Sequence, residues 1–176
     1  VFRSPIRVVR CRPADPAGKK FLDRICEGQS AYVLVPEKNA VSKTKKKKRY
    51  PAREGMIINK LNGRGYFITK RGTWFEAEQD AVDAGGHLVT IESRAEEDWL
   101  RDKFGVMNSY WIGYIRRNDK WEWISGSKSS YTHWSTRQPD NYSEREFVAH
   151  MNYNGGWNDE SPEMGYLGIA EVDLNQ

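Results

Sequence analysis

Short apolar runs and two longer amphipathic segments divide this chain into predicted strands and helices. The runs 6–11 and 31–35 are apolar, are bounded by turn residues and predict two strands. The runs 56–58 and 66–68 predict two more, with a glycine-containing turn between them. The order of the elements that follow decides the fold class.

The first predicted helix begins at Thr73. Glu76 follows three residues later, which is the spacing of a capping box, in which each side chain accepts a backbone N–H of the other residue. The pair Gly85–Gly86 predicts the end of this helix, because glycine adopts the left-handed conformation at little cost. Its apolar stripe at helical spacing consists of Trp74, Ala77, Ala81 and Val82.

The second predicted helix begins at Ser93, where Glu96 predicts a second capping box, and ends at Gly105. Between the helices, His87–Ile91 predicts a short strand in which His87 is a packed structural residue. The predicted buried face of the second helix consists of Ala95, Trp99, Leu100 and Phe104. Later strands are predicted at 111–114, 121–124, 147–151 and 166–172. Two early helices followed by short strands indicate an α+β fold and not a parallel α/β sheet.

Charge divides the chain into two regions. The net charge is +4, but residues 1–62 contain 16 Lys/Arg against 5 Asp/Glu, and residues 63–176 contain 12 against 19. All seven Trp lie in the second part and both Cys in the first. We therefore predict a basic, β-rich N-terminal region over 1–55 and a main domain over 56–176.

The segment Lys43–Arg49 carries six positive charges in seven residues and predicts a solvated linker, with an anionic partner as the alternative. No aromatic residue interleaves these charges, so specific nucleic acid binding is not expected. Cys11 and Cys26 either form a disulfide or are two unrelated small residues, and their spacing matches no zinc site. No apolar run approaches the ~18 residues of a membrane helix. Because the chain starts at Val1, a processed form or a fragment is expected.

Oxygen-bearing side chains are concentrated between residues 138 and 159. Calcium takes roughly six to eight oxygen ligands, and two amides and three carboxylates here supply candidates. They are Gln138, Asp140, Glu146, Asn158 and Asp159. A cis bond before Pro139 would turn its two neighbours toward one point. A plain surface loop is the alternative, but two such motifs with an acid between them favour a cation site.

The stretch from about Tyr66 to Asp173 resembles a C-type lectin domain. The resemblance rests on seven ordered motifs: Thr73–Ala77, Gly85–Ile91, Trp111–Gly113, Trp121–Trp123, Gln138–Asp140, Trp157–Asp159 and Ile169–Glu171. It implies a C-type lectin-like fold, with two helices, small antiparallel sheets and a long calcium-binding loop.

The same resemblance implies that the five oxygen-bearing residues hold one Ca²⁺. Two neighbouring sugar hydroxyls would replace water on the ion and bond to the same side chains. The Gln-Pro-Asp order is similar to the galactose-type version of the site, so glycans with galactose or N-acetylgalactosamine are the expected ligands. Tyr142 falls where galactose binders carry an aromatic that stacks on the sugar. The implied sugar-binding residues are Gln138, Asp140, Tyr142, Glu146 and Asn158.

Two departures from the family pattern affect these expectations. The family's disulfide positions hold Ala81, Val148, Pro162 and Ala170. Phe147 stands where an acid often binds an additional calcium, so at most one calcium site is expected. A domain without these bridges can fold in a reducing compartment, whereas weak calcium sites need the millimolar calcium found outside cells. The location stays open between the two.

Two other functions compete with a lectin. One is a protein-interaction domain of the same fold, with calcium only structural. The other is an enzyme that uses Glu144 and Glu146 as an acid–base pair. The sequence has no Gly-x-Ser-x-Gly, His-Glu-x-x-His or phosphate-loop motif, and His133 and His150 lack metal or triad spacing. The sequence therefore predicts a binding domain and not an enzyme.

Overall fold

The computed structural model describes the backbones of two strands, Ile6–Arg10 and Tyr32–Pro36, and residues 55–174 in full. The chain divides into two compact units, Val1–Lys46 and Lys47–Gln176. The lysine-rich segment Lys43–Arg49 and the Cys11–Cys26 pairing lie outside the described residues. The domain boundary at residues 55–56 stays a prediction.

The first unit contains one antiparallel pair. Strand β1 (Ile6–Arg10) pairs with β2 (Tyr32–Pro36), and Val8 lies opposite Leu34. Both strands are confirmed where the alternation of apolar runs and turn residues predicts them.

The second unit is built on a mixed sheet, eight-stranded within residues 55–174. Its strands are β3 (Ile57–Ile58), β4 (Arg64–Ile68), β5 (His87–Leu88), β6 (Tyr110–Arg117), β7 (Lys120–Trp123), β8 (Val148–Met151), β9 (Trp157–Glu160) and β10 (Leu167–Asp173). The order is β3-β4-β10-β6-β8-β9, with β5 beside β10 and β7 beside β6. All pairs are antiparallel except β10 with β6. The α+β class is confirmed, and the parallel β10–β6 pair joins the expected small antiparallel sheets into one mixed sheet.

Helix α1 (Trp74–Asp83) begins as its sequence predicts. The Thr73 hydroxyl accepts the Glu76 backbone N–H, and the Glu76 carboxylate accepts that of Thr73 at 2.9 Å. The indole of Trp74 donates to the Ile112 carbonyl at 2.9 Å, which fixes the helix against the sheet. Gly85 follows with φ +90°, so the predicted glycine stop is confirmed.

Helix α2 (Arg94–Phe104) differs from its prediction in two details. The Ser93 hydroxyl accepts the Glu96 N–H, but the Glu96 carboxylate accepts from Glu92 and not from Ser93, so the second capping box is only half formed. Ala95 is exposed and Glu97 is fully buried, the reverse of what their polarity predicts. The predicted end at Gly105 is confirmed by its φ of +84°.

An aromatic core supports the start of β9. The fully buried Trp157 ring lies 5.7–5.9 Å from the rings of four neighbours: Tyr114, Trp123, Tyr131 and Trp134. Edge-to-face contacts at such distances are favourable beyond the apolar area that they bury. In the part of the chain that the structure describes, neither helix has the length and apolarity to span a bilayer.

Candidate metal centre

Three carboxylates converge beside the end of β9. One oxygen from each of Asp140, Glu146 and Asp159 lies within 4.8 Å of the other two. Asp159 is fully buried, Glu146 is 9 % exposed, and Asp140 is exposed. Two oxygens each about 2.4 Å from one calcium ion lie at most about 4.8 Å apart. The spacing of this acidic cluster therefore fits one hard divalent cation.

Asp159 joins the strand to the preceding loop. Its position on β9 alternates with Asn158, so its side chain shares the buried face of Trp157. Its two carboxylate oxygens accept the backbone N–H groups of Asp140, at 3.0 Å, and Asn141, at 2.8 Å. The carboxylate thus orders the loop and offers its remaining lone pairs to a ligand.

Local hydrogen bonds hold the loop that carries the other two acids. The Gln138–Pro139 bond is cis, and the side-chain oxygen of Gln138 accepts the Asp140 N–H at 3.1 Å. A 3₁₀ turn over Tyr142–Glu144 follows, and the Glu146 carboxylate accepts the Tyr142 N–H at 3.0 Å. Four non-glycine residues of this loop have positive φ: Arg137, Asn141, Ser143 and Glu144. Such conformations concentrate at functional sites.

Within the described part of the chain, the acidic cluster has no basic partner. Among residues 55–174, no Lys, Arg or His forms an ion pair with any of its three carboxylates. Burial, together with the charges of Glu160, Asp159 and Asp140, raises the pKa of Glu146 to about 7. A bound divalent cation would relieve this repulsion.

The two candidate amide ligands, Gln138 and Asn158, lie within two residues of Asp140 and Asp159 in the chain, and both are half-buried. The side-chain N–H of Asn158 donates to the Asp159 carbonyl, and its side-chain oxygen accepts no hydrogen bond from the described residues. Tyr142 is 73 % exposed, and its backbone N–H is its contact with the acidic cluster. Metal binding by Gln138 and Asn158, and sugar contact by Tyr142, stay predictions.

The three histidines lie outside the acidic cluster. His87 bonds to the buried Glu78 at 2.6 Å, in keeping with the predicted structural role. His150 packs against the rings of Trp111 and Tyr166, and burial lowers its pKa to about 4. His133 Nδ1 lies 3.0 Å from both oxygens of the buried Glu97, a contact that the sequence does not predict.

Glu97 and Arg101 have the four-residue spacing of a helical ion pair. That spacing is a local signal of the ion pair in the sequence. It does not indicate that the pair is buried, because a charged side chain is seldom fully buried.

The Lectin C-type domain family model matches residues 70–165, more than half of the chain. This chain belongs to the C-type lectin domain family. It is 30 % identical to mouse asialoglycoprotein receptor 1 over 118 residues, which are 63 % of this chain and 41 % of the relative. This lectin domain chain therefore spans about two fifths of that receptor's length.

Solved C-type lectin domains have the same fold. The human scavenger receptor C-type lectin carbohydrate-recognition domain is 28 % identical, with a TM-score of 0.62, over 69 % of this chain and 98 % of that one. The C-type lectin domain of murine dendritic cell inhibitory receptor 2, solved with an N-glycan, is 26 % identical, with a TM-score of 0.61 and the same two coverages. These proteins are lectins and receptors, not enzymes.

Proposed function

We propose that this domain binds carbohydrate through one Ca²⁺ held by the acidic cluster of Asp140, Glu146 and Asp159. The observation that carries the proposal is the cluster itself: three carboxylate oxygens within 4.8 Å of one another and no basic partner among residues 55–174. Gln138 and Asn158 complete the oxygen shell in this proposal. The donors are hard oxygens, which suit calcium better than zinc or copper.

Calcium bound there supplies open coordination positions to two neighbouring sugar hydroxyls. The side chains around the ion determine the orientation of the bound sugar. Carboxylates accept hydroxyl hydrogens, and the Gln138 and Asn158 amides can both donate and accept, so the pattern of donors around the ion selects the hydroxyl pair. Hydrogen bonds to charged oxygens are about twice as strong as neutral ones. Sugar affinity therefore depends on calcium and on the orientation of these side chains.

We propose galactose or N-acetylgalactosamine as the preferred sugar. The Gln-Pro-Asp order supports this choice, and so does the similarity to a receptor named for asialoglycoproteins. Tyr142 is exposed, and its backbone N–H bonds to the Glu146 carboxylate. In this proposal its ring stacks on the apolar face of such a sugar.

We also propose that the domain folds without the disulfide bonds of the family. Residues 55–174 contain no cysteine. Two of the positions that the resemblance assigns to disulfides, Ala81 and Ala170, are fully buried in one apolar cluster with Phe67 and Val172. Apolar packing there supports the fold in place of a covalent bond.

Isothermal titration with galactose, N-acetylgalactosamine and mannose tests the function, in calcium and again in a chelator. We expect the first two sugars to bind only in calcium, and more tightly than mannose. Asp140→Asn should abolish binding, whereas Asp98→Asn, which removes an exposed acid paired with Arg94, should not. Absence of calcium-dependent binding to these sugars and to a broad glycan array would refute the proposal.

A further inference from the structure

A second buried carboxylate has all of its hydrogen bonds filled by the protein. Glu97 on α2 is fully buried. Its oxygens accept from Arg101 Nη2 at 2.7 Å and Nε at 3.0 Å, and from the Tyr131 hydroxyl at 2.9 Å. His133 Nδ1 lies 3.0 Å from both oxygens, and because a carboxylate only accepts, that nitrogen carries the proton. We call Glu97, Arg101, Tyr131 and His133 the Glu97 network.

The arginine of the Glu97 network also holds the turn between β8 and β9. Its guanidinium donates to the carbonyl oxygens of Asn152, at 3.1 Å, and Gly155, at 2.9 Å. These two carbonyls lie on either side of the hairpin tip, and Gly155 has a φ of +110°. One side chain therefore ties α2 to the entry of β9.

The histidine of the Glu97 network holds β9 from its other side. The His133 carbonyl accepts the Trp157 N–H at 2.6 Å, and the Trp157 carbonyl accepts the Ser135 N–H at 2.8 Å. Trp157 directly precedes the candidate ligands Asn158 and Asp159. The Glu97 network thus holds the backbone on both sides of Trp157, the residue that precedes the two candidate ligands.

We propose that Glu97 and Arg101 are positioning residues for the cation site, an inference that rests on the proposed function. Apolar contacts such as those around Trp157 are non-directional, whereas hydrogen bonds in a buried network depend on direction. A buried ion pair adds little net stability, and specifying one conformation is a role that such pairs can serve. Neither residue touches the acidic cluster. They act through the backbone of β9.

Glu97→Gln tests this role, with Glu96→Gln as the matched control. Glutamine keeps the shape of the side chain but presents an amide N–H₂ to at least one donor of the Glu97 network. Glu96 is the next residue on α2, but its carboxylate bonds to Tyr66 and Glu92 and touches neither segment beside β9. Two readouts are measured at a temperature where every variant is folded: the calcium dissociation constant, and amide hydrogen exchange of residues 156–159 without calcium.

We expect Glu97→Gln to raise the calcium dissociation constant about tenfold and to accelerate exchange of these amides about tenfold. Glu96→Gln should change neither by more than about twofold, whatever it does to the melting temperature. Arg101→Lys, which keeps the charge but loses the branched contacts, should behave like Glu97→Gln. Unchanged exchange in Glu97→Gln would overturn the positioning role even if the protein melts earlier. Failure of the parent protein to bind calcium would instead refute the proposed function, while the exchange measurement still decides the coupling.

Discussion

Two acidic sites in this domain, Glu97 and the acidic cluster, have opposite relations to the rest of the fold. Side chains of the protein itself balance the charge of Glu97 and fill its hydrogen bonds. They are Arg101, Tyr131 and His133. The acidic cluster gathers three carboxylates, and within residues 55–174 no basic side chain pairs with them. A buried carboxylate whose charge is balanced by the protein's own groups indicates a structural role. Clustered carboxylates without such partners indicate an external ligand.

The largest expected effect is on calcium binding by Asp159→Asn. This change removes a fully buried carboxylate that also accepts two loop N–H groups. We expect calcium affinity to fall at least about 100-fold, near 3 kcal/mol, because both an ion contact and the loop's order are lost. Isothermal titration with calcium measures this. The surface change Asp98→Asn provides the control, and an equal loss in both variants would contradict the assignment.

Removing one charge from each group should change stability in opposite directions when calcium is absent. Glu97→Gln should lower the free energy of unfolding by about 3 kcal/mol, because Arg101 is left buried without its partner. The pKa of Glu146, raised to about 7, makes its ionised form unfavourable in the folded state. That cost begins as pH rises past the unfolded value of 4.5 and is complete above about 7.

Glu146→Gln should therefore raise the free energy of unfolding by about 1 kcal/mol at pH 8. Urea denaturation of both variants in a chelator at pH 8 measures the pair of effects. Two changes of the same sign would remove the distinction between the Glu97 network and the acidic cluster.

His150 offers a third case, a buried group that stays neutral. Its pKa of about 4 in the folded protein lies below the unfolded value of 6.5, so the unfolded chain takes up a proton first as pH falls. The stability associated with neutral His150 should be lost between about pH 6.5 and 4, by about 2 kcal/mol. In His150→Phe this part of the acid sensitivity should disappear. Denaturation at pH 7 and pH 5 measures it, and an unchanged pH dependence would exclude His150 as its source.

The smallest expected effect separates sugar from metal. Tyr142 is exposed, and its backbone N–H, not its ring, contacts the Glu146 carboxylate. Tyr142→Ala should weaken galactose binding about fivefold, near 1 kcal/mol, and leave calcium affinity unchanged. Parallel titrations with calcium and galactose test this. A loss of calcium binding would show that the residue supports the loop and not the sugar.

The sequence predicted most reliably what depends on near neighbours. The Thr73–Glu76 cap and the Gly85 and Gly105 stops are set within a few residues, and all are confirmed. Strand β9 was missed, because its short stretch with three polar residues has the composition of a turn and becomes a strand only by pairing with β8. The parallel contact of β10 with β6 joins residues more than fifty positions apart and leaves no local pattern.

The candidate site likewise has a part that the sequence predicts and a part that it does not. Resemblance and ligand chemistry predicted five oxygen donors, and the structure brings the three carboxylates among them together. The Glu97 network was not predicted, because His133 and Tyr131 reach Glu97 from more than thirty residues away. Buried polar partners of this kind depend on tertiary structure, whereas hydrophobic periodicity places a charged residue outside.

A crystal structure of the domain grown with calcium and galactose tests the central claim most directly. We expect one ion at the acidic cluster, about 2.3–2.6 Å from oxygens of Asp140, Glu146 and Asp159, with two sugar hydroxyls completing its shell. Carboxylates separated around solvent, or a sugar bound elsewhere with no ion at these residues, would contradict it.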